Sequence, residues 1–525
     1  MTRSRSARCA PLTARARGGY SPDRMAPLLP TSSSFLRLQG ERRGAAGGLV
    51  FAGRRIPWGE LAAAADDLAG WLARRGVGAG QHVGVTAAND PALLAMLYAL
   101  WGLGAVAVPI GVRATAAETA RLLAHARASG LFADSPRAEV ARDAAAAVGL
   151  PAWVCRPGLP LAPRLLRRGR ARSAPRSRLA AIAYTSGTTG APKGVMLTHE
   201  NFLWATLACG QARGDTADSI GACLSPLTHV PVLVSHLLCR VLAGSGAVLF
   251  ERFELGTVLE AVERHGITDL PLIGGMVFDV VQAGSVPAAV RQTVRKVSVG
   301  GAPTPMEAKR ALAEIFAGAE IIEAYGQTES TDGATMARAA SVFVREGTVG
   351  CVNPYVAVAV ARADGTLAAS GEEGEIVISG PTVMAGYYRD RAATAAALRD
   401  GWLRTGDLGR RDEDGYFFVT GRLKDVIITG GENVSPAEVE DVLRTHPDVA
   451  DVAVIGTRHP RWGEQVTAVV VPRAGAAPDP AVLAAFAGTR LAGFKKPRRI
   501  EFVTALPRNA ANKVETGLLR QRFGG

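Results

Sequence analysis

The chain has 525 residues, too many for one compact core, because domains of about 100–200 residues are the rule and larger cores split. Hydrophobic residues at 48% and charged residues at 20% describe packed globular structure and exclude extensive disorder. The net charge of +13 is local: residues 1–24 carry six Arg against one Asp, residues 164–178 carry seven Arg and no acid, and the remainder is near neutral, so no nucleic-acid partner is expected.

Residues 1–24 have no apolar run after their arginines, which excludes a secretory signal. They are expected to be a disordered basic leader or the product of an upstream start, with Met25 as the alternative beginning. Residues 58–75 place Leu61, Leu68, Trp71 and Leu72 at helical spacing, and residues 82–86 form a Val-rich strand. Residues 91–112 lack formal charge over 22 positions, near the length of a membrane span. Gly102, Gly104 and Pro109 interrupt them, and the content changes from Leu/Ala/Met to Val, so a buried helix followed by a buried strand is predicted, with no span and a cytoplasmic location.

Short strands are predicted at 105–109, 130–133, 181–184, 247–250 and 296–299, alternating with helical segments. That rhythm gives the fold class: α/β, with helices covering largely buried sheets. Beyond about Val349 the texture changes to strands at 374–379, 406–411 and 416–420, the last two forming a hairpin around Asp414-Gly415. A compact unit follows, opening on Ser435-Pro-Ala-Glu438, a predicted capping box with proline at the first helical position. Its strands are expected at 452–455, 466–471 and 499–503, with a helix over 480–490. The six cysteines are scattered without a C-x-x-C and are expected to be reduced thiols. The domain reading is 1–24 leader, 25–423 large N-terminal domain and 424–525 small C-terminal domain, with the boundary near Lys424.

The string Ala181-Ile-Ala-Tyr-Thr-Ser-Gly-Thr-Thr-Gly-Ala-Pro-Lys-Gly-Val195 runs from a strand into a loop with four Ser/Thr hydroxyls, three glycines and one lysine. Glycines let the backbone N–H groups approach an anion, hydroxyls donate further bonds and the lysine adds a mobile charge. A Walker A loop would need Gly at Pro192 and Ser or Thr at Gly194, and both fail.

The string closely resembles the signature of the adenylate-forming superfamily of acyl-CoA synthetases, luciferases and nonribosomal-peptide adenylation domains. The resemblance runs in order from about Trp58 to the C-terminus. It implies a large multi-subdomain α/β domain, a small mobile C-terminal α+β domain, and ATP, Mg²⁺ and coenzyme A as cofactors. It assigns phosphate contacts to Thr185, Ser186, Gly187, Thr188, Thr189, Gly190 and Lys193. Leu224-Ser-Pro-Leu-Thr-His229 resembles the segment whose histidine lies beside the acyl pocket, although His229 taken alone suits a satisfied core or loop histidine better than a catalyst. Gly300-Gly301-Ala302-Pro303 resembles the adenine-facing turn.

In Ala324-Tyr-Gly-Gln-Thr-Glu329 the resemblance puts Tyr325 and Gly326 against adenine, Thr328 at the phosphates and Glu329 on magnesium. Trp402-Leu-Arg-Thr-Gly-Asp407 puts a carboxylate at a strand edge, where its two oxygens can take both ribose hydroxyl protons. Gly421-Arg-Leu-Lys-Asp-Val-Ile-Ile-Thr-Gly-Gly-Glu-Asn-Val434 resembles the hinge, with Arg422 near ribose and phosphate, Lys424 at the pivot, and Gly430 and Gly431 facing the thiol substrate. Leu506-Pro-Arg-Asn-Ala-Ala-Asn-Lys513 resembles the catalytic loop whose lysine bridges the substrate carboxylate and the α-phosphate; Asn512 replaces a glycine usual there. Only seven residues are Lys against 53 Arg, yet Lys193, Lys424 and Lys513 all fall in these strings.

The expected activity is therefore conversion of an aliphatic or aromatic carboxylic acid to its acyl-adenylate, then transfer to coenzyme A. A carrier-protein phosphopantetheine arm as acceptor is the nearest alternative, and a non-catalytic nucleotide-binding protein the remote one. The pocket is expected around residues 229–238, 272–277 and 300–327, with Met276, Val277 and Phe278 either narrowing it or facing the core.

Overall fold

The structure is a computed structural model that describes residues 32–44, 46–155, 178–185, 192–301, 304–429, 432–508 and 513–524. The expected basic leader and most of the second Arg-rich stretch lie outside these residues. Two compact units divide the chain: the described residues through Val358 with Ile378–Arg404, and Ala359–Val377 with Thr405–Gly525.

In the first unit, Trp58–Ala73 is the predicted amphipathic helix, burying Trp58, Leu61, Leu68 and Leu72 on one side. Residues 91–112 divide as expected into the helix Pro91–Gly102 and the strand Val106–Pro109. Pro at the first helical position and Asp90, whose side chain accepts from Ala92 N at 2.6 Å, set the helix start. Among the described residues no helix is long and apolar enough to cross a membrane.

One sheet of this unit runs Gly386–Tyr387, Lys193–Thr198, Leu179–Thr185, Val106–Pro109, His82–Thr86, Leu131–Asp134, Ala152–Cys155. Its five members from Leu179–Thr185 onward are parallel, whereas Lys193–Thr198 and Gly386–Tyr387 are each antiparallel to their inner neighbour. A second sheet aligns Gly246–Leu249, Ile220–Cys223, Asp269–Ile273, Lys296–Gly300 and Glu320–Gly326 in parallel. The antiparallel strand Gly333–Arg338 follows. Its core packs Leu270, Leu272, Val297, Val299 and Ile321 against helical Val258, Val262, Val280 and Leu312. Burial on both faces explains the short Val- and Leu-rich runs that mark these strands in the sequence.

Buried ion pairs tie helices to this sheet. Asp215 pairs with Arg213 at 2.6 Å and Arg240 at 3.1 Å, and Arg240 reaches Asp269 at 3.4 Å. The five described cysteines are unbridged, and Cys209, Cys223 and Cys239 are buried.

In the second unit, Phe417–Arg422 returns antiparallel along residues 407–411 around the predicted turn, with Asp407 opposite Arg422. Val449–His459 and Gly463–Pro472 then form a long antiparallel pair, extended by Arg499–Phe502 in parallel. Helices Pro436–Arg444 and Pro480–Gly488 bury Val439, Leu443 and Leu483 in its core.

The predicted capping box does not form. Ser435 is the cap residue, but its hydroxyl donates to Thr420 O on the neighbouring strand, and Glu438 forms an ion pair with Lys495 at 2.7 Å. Each partner had a better tertiary contact than the helix's own N–H groups. Lys424, the expected boundary, lies inside the second unit.

Candidate active site

The strand pairing of the first unit builds a charged cluster. Thr185 and Lys193 are cross-strand partners at the two ends of the Gly-rich loop, and Tyr387 pairs with Val195, two residues beyond Lys193 and on the same face. Lys193 Nζ lies 5.0 Å from the centre of the Tyr387 ring, within cation–π range. The Tyr387 hydroxyl donates to Glu329 Oε1 at 3.0 Å, and Thr185 Oγ1 donates to the same oxygen at 3.5 Å. Burial pushes the Tyr387 phenol up, reinforced by the Glu329 charge, so it stays a proton donor.

Glu329 is buried and held by its backbone as well, since Met384 N donates to Glu329 O at 2.9 Å. It sits in a tight turn that follows the strand Glu320–Gly326. Ser330 clasps that turn: Gln327 N donates to Ser330 Oγ at 3.1 Å, and the same hydroxyl donates to Asp332 O at 2.9 Å. Gly326 is required there, because a Cβ would fall 2.2 Å from Asp332 O. Tyr325 lies on the strand just before the turn and is half-buried, and Thr328 is buried within it. Gly301 directly follows the strand Lys296–Gly300 with φ +73°, a conformation L side chains rarely adopt. Asp332, beneath the turn, has its carboxyl pushed well up by burial and then by neighbouring Cys209.

His229 is exposed, at the start of a short helix. The loop leading to it is held by Asn89, a residue the sequence reading passed over. Leu227 N donates to Asn89 Oδ1 at 2.8 Å, and Asn89 Nδ2 donates to Ser225 O at 2.8 Å. Of the residues expected near the pocket, Val277 faces the core, Met276 packs partly against it, and Phe278 is 55% exposed.

In the second unit, Arg422 Nε reaches Asp407 Oδ1 at 2.9 Å. Asp407 is buried within the continuous strand Trp402–Arg411, not at a strand edge as expected, because the strand begins upstream of it and the hairpin partner reaches Arg422 directly opposite it. Gly406 N donates to Glu375 Oε1 at 2.9 Å and Leu423 N to Gly406 O at 2.8 Å, which fixes the strand on both sides of the carboxylate. Lys424 is exposed, and partial desolvation of its ammonium lowers its pKa, with nearby Arg422 and Arg520 acting in the same direction. Lys513 is exposed, next to the bridge that pairs Arg508 with Val514.

Ser186, Gly187, Thr188, Thr189, Gly190, Ala302, Pro303, Gly430, Gly431 and Asn512 lie outside the described residues. Among the sites that are described, the structure brings together Thr185, Lys193 and Glu329, and separately Asp407 and Arg422. Tyr387 is the addition that the sequence reading missed. Its signal was the Gly386-Tyr387-Tyr388 string, a glycine before two adjacent aromatic residues.

The donor set fits magnesium. Glu329 offers hard carboxylate oxygen, and among the described residues no group of three His, Cys, Asp or Glu side chains could hold an ion alone. A magnesium ion held by one or two carboxylates, water and substrate phosphate is the usual arrangement at nucleotide sites.

Residues 36–388 match the AMP-binding enzyme family, and residues 438–513 match the AMP-binding enzyme C-terminal domain. The chain belongs to the AMP-binding enzyme family. This AMP-binding enzyme is 36% identical over 480 residues to a feruloyl-CoA synthase of an Amycolatopsis species, covering 90% of this chain and 95% of that protein. It is 33% identical over 482 residues to an indoleacetate–CoA ligase of Aromatoleum aromaticum, covering 90% and 94%. The fold matches the o-succinylbenzoate coenzyme A synthetase of Bacillus subtilis, solved with ATP and magnesium, at a TM-score of 0.81 and 27% identity over 93% of this chain and 99% of that one. The expected α/β adenylate-forming architecture, with a large N-terminal and a small C-terminal domain, is thereby established.

Proposed function

We infer that this AMP-binding enzyme is an ATP-dependent acid–thiol ligase that forms an acyl-adenylate and passes the acyl group to coenzyme A. The observation that carries the reading is the convergence of Thr185, Lys193 and Glu329 beside the Gly-rich loop of an AMP-binding enzyme. It supplies a cation for phosphate oxygens and a carboxylate for a metal at one place.

In the first step a carboxylate oxygen attacks the α-phosphorus, the bond from that phosphorus to the bridging oxygen breaks, and pyrophosphate leaves. Both reactants are anions, so positive charge must be in place before they meet. Lys193 is assigned to the phosphates, Tyr325 to the adenine face, Asp407 to the ribose hydroxyls and Arg422 to ribose and phosphate. Lys513 is assigned to the incoming carboxylate and the α-phosphate. Magnesium, when bound at Glu329, would supply further neutralisation of the pyrophosphate. In the second step the thiolate attacks the acyl carbon and AMP leaves, with Lys424 as the pivot residue and the Gly430-Gly431 segment on the thiol side.

For the acid, the reading favours an aryl or arylalkyl carboxylate. Support comes from the substrates named for the two sequence relatives and from the loop of Leu224, Leu227 and Val230 leading past His229. The test is a panel of aromatic and aliphatic acids with ATP, Mg²⁺ and coenzyme A, scored by AMP and pyrophosphate release. Aryl acids should give the highest kcat/KM. A preference for medium or long aliphatic chains would overturn the substrate class, and no AMP with any acid would overturn the activity. Replacing coenzyme A by a phosphopantetheinylated carrier protein in the same assay separates the two acceptors.

A further inference from the structure

Tyr387 contacts both charged groups that the proposed function sets against the nucleotide. Its backbone is fixed on two sides: the strand Gly386–Tyr387 pairs with Val195 and Met196, and Tyr387 N donates to Thr394 Oγ1 at 2.8 Å. Thr394 in turn donates to Asp390 O at 2.7 Å. With the main chain held, the phenol projects between Lys193, 5.0 Å from the ring centre, and Glu329, 3.0 Å from the hydroxyl.

We propose that Tyr387 is a positioning residue for adenylation, its hydroxyl fixing the Glu329 carboxylate and its ring holding the Lys193 ammonium. One side chain then sets the spacing of the negative and positive groups that flank the phosphates. The inference rests on the assignment of Glu329 to magnesium and Lys193 to the phosphates.

The chemistry of each contact is one-directional. A carboxylate can only accept, so the phenol must donate, and the donated proton steers Oε1 away from rotation. The aromatic face attracts the ammonium without neutralising it, which leaves the full positive charge available to a phosphate. A salt bridge between Lys193 and Glu329 would remove both charges from use, whereas Tyr387 engages the ammonium at its ring and the carboxylate at its hydroxyl. The backbone anchor at Thr394 matters because a positioning group must itself be immobile.

Two substitutions separate the two contacts. Tyr387→Phe removes only the hydroxyl, and Tyr387→Leu removes the ring as well. Since a hydrogen bond to a charged group is lost, Tyr387→Phe should raise the Mg²⁺ concentration for half-maximal pyrophosphate exchange by about tenfold. The KM of the acid should not change. Calorimetric titration with ATP gives a readout independent of turnover: Tyr387→Phe should weaken binding in Mg²⁺ but not in EDTA, whereas Tyr387→Leu should weaken it in both.

Thermal melting confirms that each variant is folded, and Glu329→Gln serves as the reference. If Glu329→Gln shifts the Mg²⁺ dependence and Tyr387→Phe does not, Tyr387 is packing only and the proposal fails. If Glu329→Gln leaves the Mg²⁺ dependence unchanged, the magnesium assignment itself falls and this inference with it. Equal weakening by Phe and Leu in EDTA would overturn the part concerning Lys193.

Discussion

Leu227 N and Asn89 Oδ1 are 138 residues apart in sequence and 2.8 Å apart in the structure. The same carboxamide donates to Ser225 O, so Asn89 braces the loop at two points just before His229. If that loop borders the acyl pocket, Asn89→Ala should raise the KM of the acid while leaving that of ATP unchanged. Leaving two buried backbone groups unsatisfied should also cost about 1–3 kcal/mol of stability, measurable by urea denaturation. Parallel loss of affinity for both substrates would show that the brace serves the fold alone.

Asp407 is buried and Arg422 is half exposed, so the two ends of their ion pair respond differently to mutation. Asp407→Asn leaves an arginine that water can solvate, and the melting temperature should barely move. Loss of the charged acceptor should nevertheless lower kcat/KM for ATP by about 30- to 150-fold, corresponding to 2–3 kcal/mol. Steady-state kinetics with ATP varied at saturating acid check this.

Lys513 is exposed, which makes Lys513→Ala a clean probe of chemistry. Exchange of pyrophosphate into ATP should fall by at least about 100-fold, the scale of losing one stabiliser of transition-state charge. Thiolation of supplied acyl-adenylate should survive. Equal loss of both half-reactions would contradict the division of roles between the steps.

His236 lies on the π-type turn Leu233–Leu238, and burial, followed by Arg213, Arg240 and His229, pushes its pKa down to about 3. The unfolded chain takes up this proton near pH 6.5, the folded chain only near pH 3. Its contribution to stability is therefore complete above pH 6.5 and is lost as the pH falls toward 3, with a slope of up to about 1.4 kcal/mol per pH unit. Urea melts between pH 7.5 and 5 should show this slope, and His236→Gln should flatten it.

Most of the architecture was legible because both-face burial writes itself into the sequence as short Val-, Ile- and Leu-rich runs. The strands His82–Thr86, Val106–Pro109 and Lys296–Gly300 were each recognisable on that basis. The capping box at Ser435 failed because local spacing cannot register that Thr420 O and Lys495 lie nearby. Asn89 and Tyr387 escaped for the same reason: their partners come from strands and loops remote in sequence. Thr185, Lys193 and Glu329 were found through family resemblance, and their meeting at one place follows from strand register that the residue string does not contain.

The Glu329 carboxylate has one oxygen already engaged by two hydroxyl donors, and no further acidic cluster accompanies it among the described residues. So sparse a ligand set borrows most of its affinity from the triphosphate. The ion and the nucleotide should therefore arrive as one complex: Mg²⁺ alone should leave the melting curve of the free protein unmoved, and the same salt should shift it once ATP is present.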